Sequence, residues 1–219
     1  MPSEKPGTRP RWVDRQLVRR GISDTRVLDV FAEVSRGPFV PRGARSLATR
    51  DEPIPIGRRQ TVSQPFIIAL SLEGLELTGS ERVLDVGTGS GFQAVLLSWL
   101  AREVYTIEIL DHLFNNSGLV VPRFEKAPVR MRLGDGSLGW PSQAPFDGIV
   151  VGARTPQVPP SLISQLAPGG RLVIPVGGDR AQTLYQIKKG HDGSLKKKIL
   201  ERVLFVPLLG KEGTGKFPD

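Results

Sequence analysis

The sequence predicts an α/β fold: a doubly wound, mainly parallel seven-stranded sheet with antiparallel C-terminal strands and an N-terminal helical extension. Five short runs rich in β-branched residues follow one another through the middle of the chain. Most are continuously apolar, as strands buried on both faces should be. Helical or loop segments of suitable length separate them, so parallel pairing is the natural assembly. These runs are RVLDVG, EVYTIEI, VRMRLGD, FDGIVVGA and GRLVIPVG.

Two helices are expected before the first of these strands. The segment RWVDRQLVRRG has the pattern of a short helix ended by Gly21, and Ser23 is expected to cap a second helix with apolar residues at helical spacing. Residues 1–10 carry charge, Pro and Gly, and we expect them to form a disordered tail. Residues 11–219 then form one domain, because domains usually run to roughly 100–200 residues.

The connection from Gly37 to Pro65 is rich in Pro and Gly and too long for a plain connector, so a functional or disordered loop is expected. At its end, QTVSQP places Ser63 where a helix N-cap would stand, before a third apolar helix. The C-terminal runs TLYQIKKG and LKKKILERVLFVPL, with the turn HDGS between them, predict two antiparallel strands at the sheet edge. The lysines there are typical of a solvated, guarded edge.

Composition narrows the possible functions. The chain has 219 residues, a net charge of +8, no Cys and two His, so disulfides are excluded and no metal site is expected. No apolar run approaches the length of a membrane span, so we expect a cytoplasmic protein that makes no membrane contact. The basic charge attracts polyanions, but it also attracts substrates that carry carboxylates.

A glycine-rich turn follows the first predicted strand directly. In VLDVGTGSGF, Gly87, Gly89 and Gly91 let the backbone approach a ligand closely, and a helix N-terminus stands behind them. A nicotinamide-binding turn has the spacing G-x-G-x-x-G, whereas here the third Gly comes one residue early. The spacing therefore favours S-adenosylmethionine over a nicotinamide cofactor.

Acidic residues stand at the next two strand ends. Glu108 ends the second strand, where a carboxylate can accept hydrogen bonds from both ribose hydroxyls, and Asp135 follows the third, where it can read an adenine amino group beside the Gly136 amide. Asp85 lies inside the first strand, so we expect it to anchor the glycine turn through backbone amides. Sites at three successive strand ends predict a nucleoside cofactor.

Several motifs together resemble the protein-L-isoaspartate O-methyltransferase family. They are QTVSQP, VLDVGTGSGFQA, VYTIEI, GDG, GWPSQAPFDGIVV, LAPGGRLVIPVG and FVPLLG, and the resemblance runs from about Trp12 to Gly210. It implies a Rossmann-like methyltransferase sheet that binds S-adenosylmethionine, and methylation of L-isoaspartyl carboxylates in damaged proteins and peptides. It also implies an active-site role for Ser63 and cofactor contacts from Thr61, Val62, Gly87, Glu108, Asp135 and Gly136.

The chain departs from the family pattern at three places. Residues 111–128 contain Asn-Asn-Ser-Gly and two prolines, which predict a short helix and then irregular backbone. Arg154 stands where the family has small alanines, so it is expected to reach the pocket and alter substrate choice. Leu209 replaces the family's usual threonine, which removes a hydroxyl from the C-terminal wall. Arg58 and Arg59 are expected to attract acidic peptide segments.

A substrate carboxylate is already ionised at pH 7, so methyl transfer to it needs positioning more than a strong base. Ser63 is therefore expected to position and hydrogen-bond, without acting as a covalent nucleophile. Three alternatives stay open: a carboxyl methyltransferase for a dedicated peptide or small acid, a nucleic-acid methyltransferase, and a binding protein without activity. We expect no nucleic-acid partner, because no aromatic residue follows the fourth strand to stack a flipped base, and we expect a monomer.

Overall fold

The computed structural model of the protein describes residues 9–215. Its central sheet has the strand order β5-β4-β3-β6-β7-β8-β9, in which the first five are parallel and the last two antiparallel. The predicted seven-stranded sheet is therefore confirmed. The strands are β3 (Arg82–Val86), β4 (Glu103–Glu108), β5 (Val129–Leu133), β6 (Phe146–Val151), β7 (Leu166–Gly177), β8 (Gln182–Lys189) and β9 (Leu195–Val203).

Helices cover both faces of this sheet and bury its alternating side chains. Val83 and Val150 point to the face that packs on the N-terminal helices. Leu84 and Ile149 point to the opposite face, which packs on the sixth helix. Burial on both sides explains why these strands are continuously apolar. The helices are α1 (Arg11–Gln16), α2 (Thr25–Glu33), α3 (Pro65–Glu73), α4 (Phe92–Ser98), α5 (Asp111–Val120) and α6 (Pro160–Gln165).

The N-terminal helical extension packs against α3 and α4, as the buried residues of all four helices form one cluster. The predicted cap of α2 is wrong by one residue: Asp24 is the N-cap, and its side chain accepts from the amides of Arg26 and Val27. The backbone and hydroxyl of Ser23 donate instead to Glu73 of α3. Ser23 therefore links two helices. Of the predicted tail, residues 1–8 lie outside the described residues, and Arg9 pairs with Asp29.

The long Pro/Gly-rich connection contains structure that the sequence did not predict. Two 3₁₀ turns are followed by a two-stranded antiparallel hairpin of β1 (Ile54–Gly57) and β2 (Gln60–Val62). Arg58 and Arg59 form its turn, and both have positive φ angles of 47° and 59°. Two residues after the hairpin, α3 begins at Pro65.

The divergent segment after β4 behaves as predicted. It forms the ten-residue helix α5, then one 3₁₀ turn over Val121–Arg123 and irregular backbone up to β5. Val121 is fully buried, so this turn closes the core behind the glycine loop. Within residues 9–215, no helix is long and apolar enough to cross a membrane.

Candidate active site

The glycine loop joins β3 to α4 in a conformation that only glycine adopts easily. Gly87, Gly89 and Gly91 have φ angles of 95°, 55° and 86°. Gly87 and Gly89 line a pocket at the carboxyl edge of the sheet, whereas Gly91 starts α4 and packs inward. A Cβ on Gly91 would lie 2.5 Å from a methyl group of Val121. Gly91 therefore takes part in the packing of the loop and does not line the pocket, and the cofactor role expected of it stays a prediction.

Glu108 at the end of β4 holds the glycine loop with its buried carboxylate. Its Oε2 accepts from the amide of Gly89 (2.7 Å), and its Oε1 accepts from the amides of Ile109 (2.9 Å) and Leu110 (3.0 Å). The residue is 5% exposed and lines the same pocket as Gly87. A carboxylate oxygen can accept more than one hydrogen bond, so Oε2 keeps capacity for a hydroxyl donor.

The segment after β5 contributes a backbone wall to this pocket. Gly136 lines it, and a Cβ there would lie 2.8 Å from Val86. Asp135 does not line it: its Oδ1 accepts from the amide and hydroxyl of Ser137, and its Oδ2 accepts from the amide of Lys211. Asp135 therefore caps a 3₁₀ turn and ties down the C-terminal segment, and any contact with an adenine would require its free acceptor capacity.

Asp85 is completely buried in β3 beneath the glycine loop. The predicted partners were wrong: its carboxylate accepts from the side chains of Gln93 (2.8 Å) and Thr106 (2.9 Å), not from loop amides. Thr106 also hydrogen-bonds Thr88 of the loop (2.6 Å). Burial raises the pKa of Asp85 to about 7, although the two hydrogen bonds lower it. Asp85 supports the loop from below, and it lines neither this pocket nor the larger cleft beside it.

The pocket at the glycine loop, here called the glycine-loop pocket, combines polar backbone and a carboxylate with an apolar wall. This chemistry fits S-adenosylmethionine, because Glu108 suits ribose hydroxyls and the apolar wall suits a flat purine. Its volume is about 60 Å³, and it is continuous with a larger space on its open side. The wall includes Ile107, Ile109, Leu110, Leu113, Val206, Leu208 and Leu209.

A larger cleft of about 820 Å³ adjoins this pocket and contains Ser63; we call it the Ser63 cleft. Thr61, Gly152 and Val206 line both spaces. They come from the hairpin, from the end of β6 and from the segment after β9. The glycine-loop pocket and the Ser63 cleft therefore adjoin at these three residues, and groups bound in the two spaces would lie next to each other there.

Ser63 does not cap α3, so that sequence prediction is wrong. Gln64 is the N-cap residue and makes no side-chain capping bond. The cap comes from a distant residue, because Asp51 accepts from the amide of Phe66 (2.9 Å) and from the side chain of Gln64 (2.7 Å). The Ser63 side chain makes no hydrogen bond within the described chain. Ser63 therefore lines the cleft, and its hydroxyl does not cap the helix.

The backbone around Ser63 is fixed by Arg36, which sequence reasoning missed. Its guanidinium donates to the carbonyls of Val62 (3.1 Å) and Ser63 (2.9 Å), and also to those of Arg50 and Glu52. Burial lowers the pKa of Arg36 to about 10, although nearby Asp51 and Glu52 raise it. Val62 is buried and lines neither pocket, and its carbonyl is one of the acceptors for Arg36. An arginine between two helices gave no sequence signal for this role.

The remaining predicted residues have mixed outcomes. Leu209 lines the glycine-loop pocket, as expected for its place in the C-terminal wall. Arg58 and Arg59 line neither pocket, and Arg154 does not reach the cleft. Arg154 is 7% exposed and pairs with Asp179. Among residues 9–215, no cluster of three or more His, Cys, Asp or Glu could hold a metal ion.

Comparison with known proteins gives matches over almost the whole chain. A profile of the family described as protein-L-isoaspartate(D-aspartate) O-methyltransferase matches residues 12–213. A protein-L-isoaspartate O-methyltransferase from Trichlorobacter lovleyi is 47% identical over 205 residues, which cover 94% of both chains. A protein-L-isoaspartate O-methyltransferase 2 from Marinobacter nauticus is 50% identical over 199 residues, which cover 90% of this chain and 91% of the relative.

A solved structure gives the same match in three dimensions. It comes from Plasmodium falciparum and is described as a protein-L-isoaspartate O-methyltransferase beta-aspartate methyltransferase in complex with S-adenosyl-L-homocysteine. The TM-score is 0.79 at 28% identity, over 92% of this chain and 99% of that one. The profile match, over residues 12–213, includes the lining residues of both the glycine-loop pocket and the Ser63 cleft.

Proposed function

Because the chain belongs to the protein-L-isoaspartate(D-aspartate) O-methyltransferase family, we propose that Ser63 positions the substrate carboxylate at the wall shared by the two pockets. The protein transfers a methyl group from S-adenosylmethionine to the carboxylate of L-isoaspartyl residues in damaged proteins and peptides. The observation that carries the assignment of Ser63 is that Thr61, two residues before it, lines both spaces.

The glycine-loop pocket is the proposed cofactor site. Glu108 would accept hydrogen bonds from the ribose, the backbone at Gly87 and Gly89 would allow close approach, and the Gly136 segment would form a wall for the adenine. When bound there, S-adenosylmethionine supplies an electrophilic methyl group on its sulfonium. Asp85 and Asp135 do not line this pocket, and they support it by holding the glycine loop and the C-terminal segment in place.

The Ser63 cleft holds the nucleophile, and the residues there orient it. A carboxylate with an ordinary pKa of about 4 is ionised at neutral pH, so no side chain has to remove a proton. The Ser63 hydroxyl donates to one carboxylate oxygen and thereby directs the other towards the wall formed by Thr61 and Gly152. Holding reactants at near-attack geometry contributes roughly 7–11 kcal/mol to lowering a barrier. Arg36 keeps the Ser63 backbone in place.

Replacement of Ser63 by Ala tests this role. We expect kcat on an L-isoaspartyl peptide to fall roughly 10- to 150-fold, because one orienting hydrogen bond to a charged group is worth ~1.5–3 kcal/mol. Binding of S-adenosylhomocysteine, measured by calorimetry, should stay within about twofold, since Ser63 does not line the glycine-loop pocket. Ser164→Ala, on an exposed serine outside both pockets, is the matched control.

Two results would contradict the assignment. Unchanged turnover in Ser63→Ala would leave Ser63 as an ordinary loop residue. Equal methylation of an L-isoaspartyl peptide and its normal aspartyl counterpart by the unaltered enzyme would show that the Ser63 cleft does not select the isomerised residue.

We further propose a monomeric enzyme that resides in the cytoplasm and does not act on nucleic acids. The end of β6 supports the last point, since Gly152, Ala153 and Arg154 follow it and offer no aromatic ring to stack a flipped base. Sedimentation equilibrium tests the monomer, and fractionation of the source cell tests the location. Methyl incorporation into RNA or DNA would overturn the substrate proposal.

A further inference from the structure

The charges that line the Ser63 cleft are all of one sign. Among its described lining residues, Arg180 and Arg202 carry charge and none is acidic. The cleft, at about 820 Å³, is much larger than one isoaspartyl side chain needs, so residues that flank the isoaspartate enter it as well. Two basic residues therefore line the space that surrounds the reacting carboxylate.

Both guanidinium groups are free to bind a ligand. Within residues 9–215, neither Arg180 nor Arg202 has a carboxylate within 4.0 Å. The adjacent Asp179 could compete for Arg180, but its carboxylate is held by Arg154 on the other side. Arg154 is itself anchored, because its amide donates to the carbonyl of Val206 (2.9 Å) and its carbonyl accepts from the amide of Leu208 (2.8 Å).

The segments that carry the two arginines are tied together. Arg180 lies in the short connection between β7 and β8, and Arg202 lies near the end of β9, where it pairs with Thr183. The side chain of Gln182 accepts from the amide of Phe205 (2.6 Å) and donates to its carbonyl (3.2 Å). The backbones that carry the two arginines therefore belong to one edge of the cleft.

We infer that Arg180 and Arg202 recognise a second carboxylate, carried by a residue that flanks the isoaspartate, and so make acidic peptides the preferred substrates. This inference rests on the proposed function of the Ser63 cleft. Guanidinium groups bind carboxylates through paired N–H donors, which gives directional recognition that a diffuse positive field does not give. Arg154 is a positioning residue in this scheme, because it keeps Asp179 away from Arg180.

The test uses matched L-isoaspartyl peptides in which one flanking position, up to two residues on either side, carries Glu or Gln. For at least one position, the unaltered enzyme should give a kcat/KM ratio of Glu to Gln peptide of about five, the ratio that corresponds to ~1 kcal/mol. In the double variant Arg180→Gln/Arg202→Gln the ratio should fall to about one. Raising the salt concentration should reduce it in the unaltered enzyme.

The matched control is Lys196→Gln/Lys198→Gln, which removes the same charge from exposed positions of β9 outside the cleft. It should keep the preference, and if it abolished the preference, the effect would come from net charge. A ratio near one for every position in the unaltered enzyme, or a preference that survives in the arginine double variant, overturns the inference. Failure to methylate either peptide would instead overturn the proposed function.

Substitutions of Arg154 provide a second, independent test of the inference. Arg154→Met frees Asp179 to pair with Arg180, so the preference for the Glu peptide should fall. Arg154→Met/Asp179→Asn removes the competing charge as well and should restore the ratio. Restoration separates charge competition from a general loss of packing, and a ratio equally low in both variants contradicts the role given to Arg154.

Discussion

Replacement of Arg36 tests how far the placement of Ser63 depends on one buried guanidinium. Arg36 donates to four carbonyls, two of which belong to Val62 and Ser63. Lys keeps the positive charge but has a single nitrogen with three donors, so it cannot reproduce the planar fork. Met removes the charge and every donor while keeping an unbranched side chain.

The expected cost follows from the bonds that are lost. Hydrogen bonds from a charged donor are worth ~1.5–3 kcal/mol each, and water can replace part of this loss, because only the bond to Val62 is fully buried. We therefore expect the free energy of unfolding to fall by about 2 kcal/mol in Arg36→Lys and about 4 kcal/mol in Arg36→Met. Because a misplacement near 1 Å can cost about 100-fold in rate, kcat should fall at least about tenfold in Arg36→Lys.

Urea unfolding gives the stability, and steady-state methylation of an L-isoaspartyl peptide, well below the unfolding midpoint, gives kcat. The control is Arg82→Lys, because Arg82 also binds a carbonyl, that of Pro145, and a carboxylate, that of Glu103, but at the opposite end of β3. It should lose comparable stability and keep its kcat. Wild-type kcat in Arg36→Lys, or an equal loss of kcat in Arg82→Lys, would refute the positioning role.

Three further substitutions probe the supports of the site. Asp85→Asn should remove a pH dependence of stability. Burial raises the pKa of Asp85 to about 7, so this carboxyl group ionises at lower pH in the unfolded state than in the folded state. As the pH rises from about 4 to 7, the free energy of unfolding of the wild type, measured with urea, should fall relative to that of the variant by up to ~1.4 kcal/mol per pH unit. Gly136→Ala places a methyl group 2.8 Å from Val86, an overpacking cost of ~1–3 kcal/mol that should weaken S-adenosylhomocysteine binding in calorimetry. Asp51→Ala removes the acceptor for the amide of Phe66 and should lower the thermal midpoint through a loss of ~1–2 kcal/mol, whereas an unchanged midpoint would deny it a capping role.

The sheet was predictable because its signal is local. Each strand is a short apolar run, and the glycine spacing after β3, with Glu108 at the end of β4, marks the edge where a cofactor binds. The hairpin before α3 was not predictable, because strands of four and three residues within a Pro-rich segment give no periodic pattern. Its pairing depends on a turn at Arg58 and Arg59, neither of which is a typical residue for positive φ.

Side-chain partners were harder to predict than elements. Asp85 was expected to bond loop amides, but its partners are Gln93, in the first turn of α4, and Thr106, on the neighbouring strand. Ser63 was expected to cap α3, but the acceptor comes from Asp51, fifteen residues before Phe66. Local spacing places a carboxylate or hydroxyl on an element, whereas tertiary packing decides which of several donors reaches it.

Arg154 illustrates how a wrong prediction about one residue can point to others. The sequence marks it as a departure at the end of β6, and direct contact with substrate was the simplest interpretation. Instead the side chain is buried and holds Asp179, and Arg180 is the charged residue of that loop that lines the cleft. The proposed effect of Arg154, which follows β6, on substrate charge selection passes through a loop between β7 and β8, and the sheet order places β6 beside β7.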